Sequence, residues 1–150
     1  MIIFPMAGLS KRFTKAGYEL PKYMLEAGGK TLFHHSVMSF KNYFSSERFV
    51  FIALDRYDTQ SFIIRECKAI GLMNYEIVIL KKPTNGQAET VYLAIEKINI
   101  GSEESLLIFN IDTFRPGFSW PKEFDLSGID GYLETFIGSG ANWSNVLPKD

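Results

Sequence analysis

The sequence has little cysteine, histidine or tryptophan, with one, two and two residues respectively among 150. The single Cys67 cannot form an internal disulfide, and the adjacent His34 and His35 lack the four-residue spacing of paired metal ligands, which argues against structural zinc. No apolar run approaches the ~18 residues of a membrane span. The apolar residues 1–4 have no basic segment before them and end at Pro5. We therefore expect no signal peptide, no membrane partner and a cytoplasmic location.

The charges show no excess of either sign, because 16 Lys+Arg stand against 17 Asp+Glu for a net charge of −1. Phosphate-backbone binding usually appears as a basic excess, so we expect no nucleic-acid partner. Apolar residues make up 46% of the chain, which excludes a disordered or low-complexity protein. The length fits a single domain over residues 1–150, and 13 phenylalanines predict an aromatic-rich core.

Short apolar segments alternate with segments of helical periodicity. The apolar segments, predicted as buried strands, are residues 2–6, 49–54, 77–80 and 106–109. Apolar residues three or four apart predict three intervening helices, marked by Phe33, Val37, Phe40 and Phe44, by Ile63, Cys67 and Ile70, and by Ala88, Val91, Ile95 and Ile98. Thr31 and Asp58 are the predicted N-caps, and Gly71 is a predicted helix end. Residues 114–128 are predicted as a loop and residues 131–136 as one more strand.

This alternation predicts an α/β fold, a Rossmann-like three-layer sandwich with a mostly parallel sheet covered on both faces. Such sheets bind ligands at the carboxyl ends of their strands. Three polar segments follow predicted strands there, namely residues 7–12, 81–87 and 110–113. Their convergence predicts a site at this edge of the sheet.

The first segment has the composition of an anion-binding turn. It consists of Ala7, Gly8, Leu9, Ser10, Lys11 and Arg12, with Pro21 and Lys22 downstream. A turn of small residues lets backbone N–H groups face phosphate oxygens. Arg12 can clamp an anion through two hydrogen bonds, and Lys22 supplies a point charge. The spacing alone fits a tight turn with two solvated bases equally well.

The other two segments carry an aspartate and a glycine–glutamine pair. Asp112, just past a buried strand, would suit Mg²⁺, which takes one or two carboxylates together with phosphate oxygens. Gly86 allows close backbone approach, and the Gln87 amide can hydrogen-bond a base edge or a sugar hydroxyl. Each has a simpler interpretation by itself, since Asp112 can cap a turn and residues 83–91 can be a capped helix start.

Taken together, these segments resemble the motifs of nucleotidyltransferases that make activated sugars, the NDP-sugar pyrophosphorylases and their cytidylyltransferase relatives. The family pattern is Gly-x-Gly-x-Arg followed downstream by Pro-Lys. Gly8 to Arg12 and Pro21-Lys22 match it, with Ser10 in place of the second glycine. The similarity continues through residues 26–32, 86–88 and Asp112, and therefore extends over essentially the whole chain.

The resemblance implies the transfer of a nucleoside monophosphate from NTP to a small phosphorylated acceptor, such as a sugar 1-phosphate, with release of pyrophosphate. It further implies a place in capsule or other surface-polysaccharide biosynthesis. The backbone of residues 7–10 would hold the nucleotide, and Gly86 and Gln87 would lie near its base and ribose. Arg12 would neutralise the departing phosphates, Lys22 would stabilise the α-phosphate, and Asp112 would bind Mg²⁺. Attack by an already ionised phosphate needs positioning and charge neutralisation more than a base.

The resemblance also divides the chain into a nucleotide-binding half, residues 1–113, and the start of an acceptor-binding half, residues 114–150. Residues 131–136 and 143–146 are similar to the beginning of the family's acceptor-binding half, which then continues and usually carries a second metal-binding aspartate. None of the later aspartates, Asp125, Asp130 and Asp150, lies in a convincing motif for that role. We therefore expect a domain that is incomplete at its C-terminus.

Two other functions stay open at this point. The first is a nucleotide-binding domain that is non-catalytic or dependent on a partner, which the incomplete acceptor half favours. The second is a nucleotide-sugar glycosyltransferase, which shares the architecture and the strand-ending aspartate but does not need the pair Arg12 and Lys22. The sequence leaves undetermined the base, the acceptor, the oligomeric state and the effect of Ser10.

Overall fold

A computed structural model of the chain describes residues 1–101, 103–122, 125, 128–140 and 146. It divides into two compact units, Met1–Ser119 and Trp120–Asp150. The helices and strands given below all lie in the first unit. No helix in the described part of the chain is long and apolar enough to cross a membrane.

The centre of the first unit is a four-stranded parallel sheet. Its strands are β1 (Ile2–Pro5), β4 (Phe49–Leu54), β5 (Tyr75–Leu80) and β6 (Leu107–Ile108), in the order β5-β4-β1-β6. Ile3 pairs with Val50 on one side and with Ile108 on the other, so β1 lies inside the sheet. This confirms the predicted α/β fold with a parallel sheet, in which β1 and β4 are covered on both faces. The strand predicted as buried at residues 106–109 is shorter and partly exposed, because β6 lies at the edge of the sheet.

A short antiparallel hairpin precedes the second helix. It pairs β2 (Glu26–Ala27) with β3 (Lys30–Thr31). Its two turn residues, Gly28 and Gly29, have φ angles of 59° and 75°. Two-residue hairpin turns of type I′ need positive φ at both central positions, and glycine adopts this conformation without a steric penalty.

Four helices connect the strands. They are α1 (Lys11–Lys15), α2 (Leu32–Met38), α3 (Thr59–Ile70) and α4 (Gln87–Ile95), with single 3₁₀ turns at Lys22–Met24 and Lys41–Tyr43. The Thr31 hydroxyl accepts a hydrogen bond from the His34 N–H, which confirms the predicted cap of α2. Gly71 ends α3 in the left-handed region at φ 77°, which confirms the predicted stop.

Details of all three predicted helices are wrong. The second helix ends at Met38, so Phe40 and Phe44 lie around the following 3₁₀ turn, although both still pack against the core. Asp58 precedes α3 but makes no cap hydrogen bond, because its left-handed backbone, φ 48°, is not the extended conformation of a capping residue. The helix α4 ends at Ile95, so Ile98 lies beyond it, although it is still buried, and Ala88 is exposed rather than on the buried side with Val91.

The sheet separates two cores of different composition. On one face, helices α2 and α3 pack an aromatic cluster, and Phe51 makes ring contacts with Phe4 at 5.4 Å and Phe33 at 5.0 Å. On the other face, Val91 and Ala94 of α4 pack against aliphatic strand residues such as Ile52. Burial of each large apolar side chain stabilises the fold by about 1.5–3 kcal/mol, so both faces contribute to holding the sheet.

The second unit contains no strand among its described residues. The strand predicted at residues 131–136 does not form, and Tyr132, Leu133 and Phe136 are exposed. A strand is stable only as part of a larger sheet, so three apolar residues in a short segment do not by themselves produce one. Residues 143–145 and Asp150, which the sequence analysis singled out, lie outside the described residues.

Candidate nucleotide-binding site

A cleft of about 260 Å³ lies at the carboxyl edge of the parallel sheet. Residues from four separate segments line it. They are Pro5 at the end of β1 with Ala7, Gly8 and Leu9 after it; Lys22; Thr84, Gly86, Gln87 and Thr90 around the start of α4; and Asn110 after β6. Parallel strands end at one edge, so segments far apart in the sequence meet there. The structure thus brings together residues from all three predicted polar segments.

The turn after β1 places its backbone against the cleft. Ala7, Gly8 and Leu9 line the cleft, and Ser10 follows in the left-handed region at φ 52°, just before α1. The Ser10 hydroxyl accepts a hydrogen bond from the Lys22 N–H at 3.3 Å. The serine in the glycine position therefore ties the turn to the Lys22 segment.

Lys22 and Asp112 form an ion pair at the rim of this edge. The Lys22 ammonium Nζ donates to Asp112 Oδ2 at 2.8 Å, across 90 residues of sequence. The Lys22 side chain is 27% exposed and that of Asp112 is 40% exposed. Exposed pairs of this kind contribute about 0–1 kcal/mol, so an anionic ligand can replace Asp112 as the partner of Lys22 at little cost.

Gln87 and Asn110 form another part of the cleft wall. The Gln87 amide Nε2 donates to Asn110 Oδ1 at 2.6 Å, and this bond joins the start of α4 to the segment after β6. The Ser36 hydroxyl donates to the Asn110 backbone carbonyl at 3.1 Å, so α2 holds this segment from behind. The Gln87 side chain is thereby oriented at the cleft before any ligand binds.

Two threonines fix the backbone at Gly86. The Thr84 and Thr90 hydroxyls lie 2.6 Å apart, and the Thr90 hydroxyl donates to the Gly86 carbonyl at 3.0 Å. The Glu89 carboxylate accepts a hydrogen bond from the Asn85 N–H at 2.5 Å, which closes the turn before α4. Gly86 has an extended backbone and no heavy atom near the position of a Cβ, so it leaves open space at the cleft.

Three predicted site residues do not line the cleft: Ser10, Arg12 and Asp112. Arg12 lies in the five-residue helix α1, which buries none of its residues, and it is exposed. Six predicted residues line the cleft, namely Ala7, Gly8, Leu9, Lys22, Gly86 and Gln87. Ser10 adjoins it through the hydrogen bond to its hydroxyl from the Lys22 N–H, and Asp112 adjoins it through its ion pair with Lys22.

Four residues at the cleft were not predicted individually from the sequence. Thr84, Thr90 and Asn110 line it, and Arg56 contacts the turn that lines it. The Arg56 guanidinium Nη2 donates to the Gly8 carbonyl at 3.1 Å, so a fourth loop, the one after β4, contacts the turn. The position of this loop at the end of a buried strand is the same signal that identified the other three segments. The two threonines carry no comparable signal, because only the folded turn brings their hydroxyls together.

The titrating groups with altered pKa values lie outside the cleft. Burial in the aromatic core raises the pKa of the Cys67 thiol to about 12, which is the behaviour of a core residue rather than a nucleophile. Burial, and next the charge of Lys30, lowers the pKa of His34. Within the described part of the chain, neither histidine nor Cys67 lines the cleft.

Asp112 is the predicted metal ligand of this site. In the described residues, no group of three or more His, Cys, Asp or Glu side chains is placed to hold a metal ion. Asp112 offers an exposed carboxylate whose partner is a flexible lysine. A single carboxylate holds Mg²⁺ where phosphate oxygens of a bound nucleotide complete its ligands, so Asp112 fits such an ion only together with a substrate.

Comparison with known proteins gives one informative similarity. No protein-family model matches the chain, and no curated protein matches it. Among solved structures, it is similar to the nucleoside-diphosphate-sugar pyrophosphorylase from Vibrio cholerae RC9, with 49% sequence identity and a TM-score of 0.74. The similarity covers 81% of this chain and 51% of that chain, so this chain spans about half the length of the structure it matches.

Proposed function

Because the chain belongs to the nucleotidyltransferase family, we propose that it transfers a nucleoside monophosphate from a nucleoside triphosphate to a sugar 1-phosphate or a similar small phosphorylated acceptor. The observation that carries this proposal is that the turn around Gly8, Lys22, and the pair Gln87 and Asn110 all line one cleft. The similarity to a nucleoside-diphosphate-sugar pyrophosphorylase supports a sugar phosphate as the acceptor. Activated sugars are donors for polysaccharide synthesis, and we extend the proposal to capsule or other surface polysaccharides.

The proposed reaction is an in-line displacement at the α-phosphorus. A phosphate oxygen of the acceptor forms a bond to the α-phosphorus, while the bond from that phosphorus to the oxygen bridging to the β-phosphate breaks. The electron pair of the broken bond leaves with pyrophosphate. The acceptor phosphate is already ionised, so the protein supplies positioning and charge neutralisation. In this scheme the backbone of residues 7–10 holds the phosphates, and the Lys22 ammonium stabilises charge on the α-phosphate.

The wall of the cleft around Gly86 and Gln87 is the proposed place for the base and ribose. Gln87 is held by Asn110 and keeps a second amide hydrogen for a ligand, since an amide nitrogen carries two donors. Gly86 leaves space beside it for a flat ring. Arg12 is the proposed partner of the departing phosphates, and its exposed position on α1 means that it must reach toward them when nucleotide binds.

Asp112 is the proposed ligand of a divalent cation, for which Mg²⁺ is our candidate. When bound, such an ion neutralises phosphate charge and orients the phosphate oxygens. Asp112 lies 2.8 Å from Lys22 Nζ, so the carboxylate and the ammonium are close enough to act on neighbouring oxygens of one triphosphate. Without a ligand, the pair keeps both side chains at the rim of the cleft.

The residues that line the cleft support a division of function along the chain. All of them lie between Pro5 and Asn110, in the part of the chain that precedes residue 114. We propose that residues 1–113 form the nucleotide-binding half and that residues 114–150 begin the acceptor-binding half. A cytoplasmic location stays a prediction from the sequence.

The test is a screen of each NTP with a panel of sugar 1-phosphates, phosphocholine and other small phosphomonoesters. We expect one combination to release pyrophosphate in the presence of Mg²⁺, as measured by a coupled enzymatic assay. Calorimetry with each NTP measures binding separately from turnover. The proposal would be contradicted if no combination released pyrophosphate and no NTP bound.

A second candidate function is a nucleotide-binding domain that turns over substrate only with a partner. The position of Arg12 outside the cleft favours it, because one of the two proposed phosphate-neutralising side chains is not in place. Binding of one NTP without pyrophosphate release from any acceptor distinguishes this function from the first.

A further inference from the structure

The loop after β4 has an unusual backbone. Tyr57 and Asp58 are consecutive residues with φ angles of 55° and 48°, in the left-handed region that non-glycine residues rarely adopt. Such conformations persist only where surrounding contacts enforce them, and they concentrate at functional sites. The contacts that hold this loop, residues 55–59, therefore bear on its role.

The first contact is made by the Arg56 guanidinium. Its Nη2 donates to the carbonyl of Gly8, in the turn that lines the cleft, at 3.1 Å. Its Nε is buried and has no hydrogen-bond partner among the described residues, and the guanidinium carbon lies 5.2 Å from the centroid of the Tyr57 ring. Holding a partly buried guanidinium against one carbonyl orients that peptide, since the carbonyl is drawn toward the charge. The next N–H along the chain, that of Leu9, then points the other way.

The second contact is made by Thr59. Its hydroxyl donates to the Arg56 carbonyl at 2.6 Å and lies 2.9 Å from the Tyr23 hydroxyl. A threonine hydroxyl has one proton, so the Tyr23 hydroxyl is the donor between these two. Tyr23 is 2% exposed and directly follows Lys22. The same loop thus holds both the Gly8 turn and the Lys22 segment.

We propose that Arg56 and Thr59 are positioning residues that set the geometry between the phosphate-binding turn, residues 7–10, and Lys22. Arg56 orients the turn through the Gly8 carbonyl, and Thr59 anchors Lys22 through Tyr23. The importance of these residues for catalysis rests on the proposed function. The contacts through which they join residues 7–10 to Lys22 can be measured without assuming that function. Neither side chain lines the cleft, so both act through the groups that do.

The experiment uses Arg56→Ala, Arg56→Lys and Thr59→Val in the full chain, with Arg65→Ala as the matched control. Arg65 also stacks on a ring, that of Phe62, with its guanidinium carbon 5.6 Å from the centroid, but it lies on α3 away from the turn. Backbone amide resonances of Gly8, Leu9 and Lys22 report on the linkage in ligand-free protein. Calorimetry with the NTP that the unaltered protein binds best measures whether the substitutions change the affinity for nucleotide.

We expect Arg56→Ala to move the Gly8 and Leu9 resonances and to weaken NTP binding about tenfold, as the loss of a charge-assisted hydrogen bond predicts. Thr59→Val should move the Lys22 resonance, Arg56→Lys should restore part of the affinity, and Arg65→Ala should change neither. A purely structural role would lower the free energy of unfolding and leave the affinity unchanged. Arg56→Lys keeps the test valid where Arg56→Ala does not fold.

Unchanged Gly8, Leu9 and Lys22 resonances in the Arg56 and Thr59 variants would overturn the inference. An unchanged NTP affinity in Arg56→Ala, equal to that of Arg65→Ala, would overturn it as well. Failure of the unaltered protein to bind any NTP would instead overturn the proposed function, and the resonances would then decide the linkage alone.

Discussion

In the interior of the sheet, β1 and β4 are buried along almost their whole length, and rings such as Phe4 and Phe51 pack against each other. At the carboxyl edge of the same strands, the side chains are polar, partly exposed and joined by single hydrogen bonds, as between Lys22 and Asp112. Two consecutive non-glycine residues there have positive φ. The interior and the edge are thus held by different interactions.

The difference separates stability from function. Apolar burial in the interior contributes about 1.5–3 kcal/mol per large side chain, whereas an exposed ion pair at the edge contributes about 0–1 kcal/mol. The edge can therefore exchange its partners for a ligand without endangering the fold. The following predictions test whether substitutions in the interior lower stability and substitutions at the edge lower activity or nucleotide binding.

The largest effect on stability is expected for Phe51→Ala. Phe51 is fully buried and contacts the rings of Phe4, Phe33 and Tyr75. Loss of its ring should lower the free energy of unfolding by about 3–5 kcal/mol, as measured by urea denaturation. Tyr92→Ala, at a side chain on α4 that is 60% exposed, is the control and should cost far less. Equal losses of unfolding free energy in Phe51→Ala and Tyr92→Ala would mean that the interior is not the main source of stability.

The largest effect on activity is expected for Lys22→Ala. Loss of a preorganised positive charge at the α-phosphate should lower the rate of pyrophosphate release about 100-fold. The free energy of unfolding should change by less than about 1 kcal/mol, because the ion pair is exposed. Lys68→Ala, on the outer side of α3, is the control. Arg12→Ala should lower the rate less than Lys22→Ala, and full activity in both variants would contradict the assigned roles.

A smaller effect is expected for Gln87→Ala. The variant loses the hydrogen bond to Asn110 and the proposed contact to the base or ribose, so NTP binding should weaken about tenfold with little change in stability. Asn110→Ala and the double variant complete a double-mutant cycle measured by calorimetry. Strictly additive losses would show that Asn110 does not orient Gln87.

The smallest effect is expected at Cys67. Its pKa is raised to about 12 by burial, so the thiol stays protonated at pH 8, and iodoacetamide should label the folded protein only at its unfolding rate. Because the folded pKa lies above the ordinary 9.0, this group stabilises the fold fully below pH 9, and that contribution is lost as the pH rises toward 12. Cys67→Ala should remove this component of the pH dependence. Rapid labelling at pH 8 would place the thiol outside the core.

The strands and two helix boundaries were predictable because their signals are local. The run Phe49–Leu54 is apolar without interruption, Thr31 caps a helix with its own hydroxyl, and Gly71 adopts a conformation that favours glycine. The segment 131–136, in which Gly131, Glu134 and Thr135 interrupt the apolar residues, was also predicted as a strand but forms none. A strand depends on a neighbour, and composition carries no information about whether that neighbour is present.

The site was predictable at the level of segments but not of contacts. Lys22 and Asp112, 90 residues apart, were both expected at the carboxyl edge, yet nothing in the sequence pairs them. Arg12 matches a motif, but its direction depends on how the short helix α1 leaves the turn. Arg56 matches none, and only the fold places it against Gly8.

The sequence by itself determined the alternation of strands and helices, the parallel sheet and the edge at which polar segments meet, because apolar periodicity and strand direction are properties of the chain. The tertiary structure alone decided which polar groups touch. The Ser10 bond to the Lys22 N–H, the bond from Gln87 to Asn110 and the bond from Arg56 to Gly8 each join residues distant in sequence. Hydrogen bonds require atoms within about 3 Å, and only packing of the whole sheet brings these atoms so close.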